Sequence, residues 1–155
     1  MAFQTATKAV LLVSALLYTQ PAGAQDLKEE LDCLARNVYF ESRNQPLAGR
    51  LAVGQVTMNR VDSPRFPNTV CDVVMQGGER LHRCQFSWYC DGEVDFPSDE
   101  IRFREAADLA ITVYVRGFPD LTEGALWYHA NYIKQPNWAR SKTITVKINE
   151  HIFYK

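Results

Sequence analysis

Apolar positions recur at three- and four-residue spacing in separate stretches between residues 27 and 114, and after residue 125 they tend to alternate. At about 100° per residue, Leu27, Leu31, Leu34 and Val38 fall within roughly 60° of one another, which predicts an amphipathic helix from Asp26 to Glu41. Asp26, Glu29 and Glu30 occupy its first turns, where the helix macrodipole favours negative charge. Asn44-Gln45-Pro46 breaks it, and Pro46 suits the first position of a second helix with the stripe Leu47, Leu51, Gly54, Met58 and Val61. Gly54 on that stripe lets another helix approach closely. Ser63-Pro64-Arg65-Phe66-Pro67 is a rigid connector. Asn68 or Thr69 caps a short helix through Met75, which Gly77-Gly78 ends.

From Glu79 to Phe96 there is no helical period, and Cys84 to Gly92 reads as an extended, stapled loop. Ser98 is the expected N-cap of a helix running to Arg116, with Gly117 as its stop and Phe103, Ala106, Ala107, Ala110 and Tyr114 on its buried face. Ala125 to His129 is extended, and Pro136-Asn137-Trp138 is a turn. Thr143 to Ile148 and His151 to Tyr154, joined by Asn149-Glu150, form a hairpin. The expected class is α+β, mainly helical, with a small antiparallel sheet at the C-terminus.

One polar position breaks the first stripe. Glu41 lies three residues after Val38 and seven after Leu34, on the apolar side of its helix. An unpaired, ionised carboxylate there is costly. Burial raises its pKa, and a carboxylic acid that keeps its proton near neutral pH is what general acid catalysis needs. The structural alternative is a helix-end glutamate paired with Arg36 or Arg43.

Residues 1–24 have the pattern of a secretory signal peptide: Lys8, the apolar run Ala9 to Tyr18, and an Ala-x-Ala-like end at Ala24. That run is too short to span a bilayer, and no later stretch is long enough. Residues 25–155 then form one domain with room for a core. Loss of Lys8 moves the formal charge from -1 to -2, which gives no electrostatic case for nucleic acid. Four cysteines in an exported chain read as two disulfides. Of three possible pairings, Cys84–Cys90 closes a short local loop and leaves Cys33–Cys71. His82, Cys84, Cys90 and His129 match no standard zinc spacing, and oxidised thiols leave no nucleophile for a Cys-His amidase, so neither metal nor cofactor is expected.

In order along the chain stand Ala35-Arg36-Asn37-Val38-Tyr39-Phe40-Glu41-Ser42-Arg43, Ala52-Val53-Gly54-Gln55-Val56-Thr57-Met58-Asn59-Arg60-Val61 and Phe66-Pro67-Asn68-Thr69-Val70. Gln85-Phe86-Ser87-Trp88, Gly124-Ala125-Leu126-Trp127-Tyr128-His129 and His151-Ile152-Phe153-Tyr154 follow. This ordered set resembles the spore-cortex-lytic cell wall hydrolases, which cleave peptidoglycan and have a lysozyme-like or lytic-transglycosylase-like catalytic domain. The resemblance places the catalytic glutamate of a Tyr-x-Glu-[Ala/Ser]-Arg segment at Glu41. Family members commonly have Gly where Asn44 stands; Asn tolerates the same left-handed turn. The separate peptidoglycan-binding domain of germination members is missing from this sequence, which argues against spore cortex as the substrate.

The resemblance implies cleavage between N-acetylmuramic acid and N-acetylglucosamine. Hydrolysis usually takes two carboxylates, whereas a lytic transglycosylase can use one, because the C6 hydroxyl of muramic acid closes onto C1. Asp91, Glu93, Asp95 and Glu123 sit in expected loops, so a transglycosylase is favoured over a muramidase. Gln85, Ser87 and Trp88 are expected in the groove wall, but strand alternation puts Gln85 and Ser87 on one face and Phe86 and Trp88 on the other, which leaves the core as an equal alternative for Trp88. Tyr128 is a candidate to orient substrate or bond Glu41, and His129 to assist; Asn59 reads as a structural hydrogen-bonder. The expected partner is the glycan strand, met by a monomer in the periplasm or cell envelope. Two rival readings are a catalytically silent glycan-binding module, which has no need of an inward carboxylate, and a disulfide-stapled inhibitor or adhesin.

Overall fold

A computed structural model describes residues 22–155, with side chains from Asp26 onward. The expected leader, residues 1–24, lies outside the described residues except for its last three, which begin the first helix. Four helices come first: α1 (Ala22–Ser42), α2 (Leu47–Val61), α3 (Val70–Met75) and α4 (Glu100–Tyr114). Three strands follow: β1 (Trp127–Ala130), β2 (Ile144–Ile148) and β3 (His151–Tyr154). Among the described residues no helix is long and apolar enough to cross a membrane.

The main core lies between α1, α2, α3 and α4. Leu34 and Val38 of α1 and Val70, Val73 and Val74 of α3 are buried there with Phe86, Ala106 and Ala110. A Cβ at Gly54 would stand 3.4 Å from Val38 and 3.6 Å from Val113, so the missing side chain lets α2 sit closely against α1 and α4. The expected stripes were too simple at their ends: Leu27 and Leu47 are exposed. Helix α2 is instead buried on two sides. Its second face, Ala52 and Val56, packs on Ala125 and on Phe153 of β3. A helix that is apolar nearly all round sits inside, and α2 is the wall between helical core and sheet.

Several boundaries differ from expectation. Asp99, not Ser98, caps α4, its Oδ1 accepting from the Arg102 N–H at 3.0 Å, and the helix ends at Tyr114. Its buried residues are Ala106, Leu109, Ala110 and Val113, with Phe103, Ala107 and Tyr114 partly buried. Thr69 caps α3 as expected, accepting from the Asp72 N–H. Glu30 of α1 adds a second cap to α3, its carboxylate taking the Val70 and Cys71 N–H groups. Asn44 does not adopt the left-handed turn: the non-glycine residues with positive φ among the described ones are His82, Glu123 and Asn149. Ser87–Cys90 is a turn of 3-10 helix rather than extended chain.

Both expected disulfides are present. Cys33–Cys71 joins α1 to α3, and Cys84–Cys90 closes the loop around the 3-10 turn. The hairpin β2–β3 acquires a third member, because β1 pairs antiparallel with β3 on its other side to give the order β1-β3-β2. Strand β1 is thus an edge.

Candidate active site

Glu41 stands in the last turn of α1, where the carboxyl group projects beneath the edge strand. The Tyr128 hydroxyl donates to Glu41 Oε2 at 2.9 Å. Burial raises the Glu41 pKa above its ordinary value, and the Tyr128 hydrogen bond and the charge of Arg60 pull it back in part. Burial and the neighbouring Glu41 charge push the Tyr128 phenol well above its usual range, so its hydroxyl stays a donor.

Neither arginine considered as a structural partner of Glu41 pairs with it. Arg36 bonds Asp32 at 2.7 Å and the Asp95 carbonyl at 3.0 Å, and Arg43 lies over the Tyr39 ring. The cation that acts on Glu41 is Arg60, which is 2% exposed. Its Nε–H donates to the Leu126 carbonyl at 2.7 Å, its guanidinium lies over Phe66 and Phe86, and its Nη1 is buried with no protein partner. Burial pulls its pKa down to about 10. The sequence held a signal for it: Val53 and Val56, seven and four residues before, put Arg60 on the second apolar stripe of α2.

Helix α2 also fixes the approach to β1. The Gln55 amide donates to the Pro119 carbonyl and accepts from the Leu121 N–H. The Asn59 amide donates to Asp120, to Thr122 Oγ1 and to the Ala125 carbonyl, each at 3.1 Å. Together with Arg60 on Leu126, they hold residues 119–126 in place, and Tyr128 follows two residues later.

A groove of about 760 Å³ opens over Glu41. Gln85, Ser87, Tyr128, His129, Trp138 and His151 line it with Glu41. Trp88, expected in this wall, lies elsewhere. Its ring is buried and stacked on Phe40 at 4.6 Å, and its Nε1–H donates to Asn37 Oδ1. Asn37 in turn donates to Thr57 Oγ1, so Trp88 completes a buried hydrogen-bond network between α1 and α2. His129 stacks on Tyr154 and His151 meets Tyr128 edge to face. Burial lowers the pKa of both histidines, and the Nδ1 of each is buried without a protein partner. His151 was missed as a site candidate; its place on β3, diagonal to Tyr128, exists only once β1 joins the sheet.

Glu41 is the sole carboxylate lining the groove among the described residues. Asp91, Glu93 and Glu123 are exposed, and Asp95 lies with Trp88 in a separate cavity. Cys84 and Cys90 are bonded to each other and offer no thiolate to a metal.

An open, aromatic-lined groove holding one carboxylic acid of raised pKa, on a lysozyme-like α+β fold, is the arrangement that general acid catalysis needs. The chain belongs to the cell wall hydrolase family, whose model matches residues 44–154. That match begins three residues after Glu41. The spore cortex-lytic enzyme of Bacillus subtilis is 30% identical over 139 residues, 90% of this chain and 41% of that protein. The spore cortex-lytic enzyme of Bacillus cereus is 31% identical over 128 residues, 83% of this chain and 45% of that one. The chain therefore spans less than half the length of the curated relatives it matches. Among solved structures, the catalytic domain of the Bacillus cereus SleB protein aligns with a TM-score of 0.63 at 31% identity, covering 83% of this chain and 91% of the other. The catalytic domain of the germination-specific lytic transglycosylase SleB from Bacillus anthracis aligns at 0.65 and 32% identity, covering 88% and 100%.

Proposed function

We propose that this chain cleaves peptidoglycan glycan strands between N-acetylmuramic acid and N-acetylglucosamine as a lytic transglycosylase, with Glu41 as acid and then base. The observation that carries this is the isolation of Glu41: one carboxylic acid, raised by burial and held by Tyr128, in a groove with no second carboxylate among the described residues. The names of the relatives agree with it.

In the first step the Glu41 O–H protonates the bridging oxygen, and the C1–O bond breaks with its electron pair on the departing N-acetylglucosamine O4. The new carboxylate then takes the proton from the muramic acid C6 hydroxyl as O6 bonds to C1. The product is a 1,6-anhydro end; no water is consumed and Glu41 regains its proton. An intramolecular nucleophile has an effective molarity far above that of water. Tyr128 and Arg60 stabilise the carboxylate between the two steps. Gln85, Ser87 and His129 offer amide, hydroxyl and imidazole groups to the sugars.

A muramidase reading keeps one support. Glu150, held by Gln45 Nε2 at 2.7 Å, lines a smaller cavity that also borders Glu41, and would be the carboxylate to activate water. The two disulfides and the leader-like first 24 residues support export to the periplasm or cell envelope, where the chain acts as a monomer.

The experiment is digestion of purified murein sacculi with the chain and with Glu41→Gln, followed by mass analysis of soluble products. The parent should release muropeptides, and the amide, which has no dissociable proton, should release essentially none while keeping its fold. Release by the variant at more than a few per cent of the parent rate would remove Glu41 from the acid role.

A further inference from the structure

Trp127, the first residue of β1, carries two cations. Arg65 Cζ lies 4.7 Å from its ring centroid and Lys142 Nζ 3.2 Å. The first comes from the Ser63–Pro67 connector and the second from the end of the Asn137–Ser141 3-10 turn, so the fold gathers them from distant parts of the chain. Neither belongs to an ion pair among the described residues, where the paired arginines are Arg36, Arg50, Arg102 and Arg104. Partial burial and the charge of Arg65 lower the Lys142 pKa.

A cation–π contact accounts for one cation on an indole. It does not account for two like charges on the same ring, each opposing the approach of the other. The whole chain has a formal charge of -1, so the pair does not simply follow from a strongly basic composition. Two unneutralised cations with forked and mobile N–H donors make a site for a carboxylate. Trp127 lines the groove that holds Glu41, and the two cations on its ring stand just beyond that lining, within reach of a group that projects from a ligand in the groove.

We infer that Arg65 and Lys142, mounted on Trp127, form a carboxylate-recognition site at the lip of the groove that engages the peptide side chain of muramic acid. This rests on the glycan-cleaving function proposed above. The N-acetylated sugar rings of such a strand are neutral. Its anionic groups are the carboxylates of the peptide attached through the lactyl ether, so these are what a cation pair beside the sugar groove would read.

The test uses soluble, peptide-bearing glycan strands and the same strands with their carboxylates converted to primary amides. At low salt the parent should cleave the native strands with a kcat/KM roughly two- to fivefold higher, within the range that an exposed charge pair supplies. That ratio should shrink in about 1 M salt, where the Debye length is about 3 Å. In the R65Q/K142Q double variant the ratio should fall to about one. Equal cleavage of both strands by the parent overturns the inference. A double variant that loses rate on both strands but keeps the parent ratio also overturns it, since the cations then serve only to seat Trp127. Cleavage of neither strand by the parent is a separate result: it removes the proposed function, and the inference falls with it.

Discussion

At the residue scale the site is a balance on one carboxyl group. Burial pushes the Glu41 pKa up, and Tyr128 and Arg60 limit the rise. The acid form is the one that starts the proposed reaction, so activity should be lost as pH rises through the raised Glu41 pKa. In Tyr128→Phe the hydroxyl that stabilises the carboxylate is gone, which raises that pKa further. The alkaline limb of the pH–rate profile should move to higher pH, and kcat should fall roughly tenfold or more, as loss of about 1.5–3 kcal/mol of hydrogen bonding to a charged group implies. A limb that stays in place or moves to lower pH would contradict this arrangement. Glu41 was legible because a charged residue interrupted a clear 3.6-residue stripe. For Trp88 the sequence left groove wall and core open, because alternation separates two faces of a segment without saying which one meets the groove; its indole N–H bonds Asn37 inside the core.

At the scale of elements, α2 connects the core to the chemistry. One face packs through Gly54 on α1 and α4, and the other holds residues 119–126 through Gln55, Asn59 and Arg60, which sets β1 above Glu41. The helices were legible from period and punctuation, but their ends were not: α1 starts four residues before Asp26, Pro46 precedes α2 as its N-cap instead of opening it, and α4 is capped by Asp99 and stops at Tyr114, two residues short of Arg116. The third strand was harder, since pairing of β1 with β3 is a contact between segments more than twenty residues apart. The loop at Cys84 was read as extended because a single short 3-10 turn leaves no periodic signal. The bridges differ in their expected weight. Cys33–Cys71, with a sequence separation of 38, should contribute about 4 kcal/mol by loop entropy, and Cys84–Cys90, with a separation of 6, about 2 kcal/mol. Denaturant unfolding of C33S/C71S and C84S/C90S variants should therefore show the larger loss of stability in the first. A larger loss in the second would mean that the loop, and not the α1–α3 junction, limits stability.

At the scale of the whole molecule, a helical body and a three-stranded sheet meet along a groove, and Glu41 sits where they join. The ordered motifs anticipated that architecture, and the match over residues 44–154 agrees with it. The number of carboxylates in the groove was not legible, because loop positions of Asp91, Glu93, Asp95 and Glu123 depend on contacts that no local pattern encodes. With one carboxylate lining the groove among the described residues, the proposed nucleophile is the C6 hydroxyl of the substrate itself. Sacculi digested to completion and treated with borohydride report this directly. Anhydro ends resist reduction and ordinary hemiacetal ends take up hydride, so the released muramic ends should remain predominantly unreduced. Predominantly reduced muramic ends would contradict transglycosylation and turn attention to Glu150 as the base that delivers water.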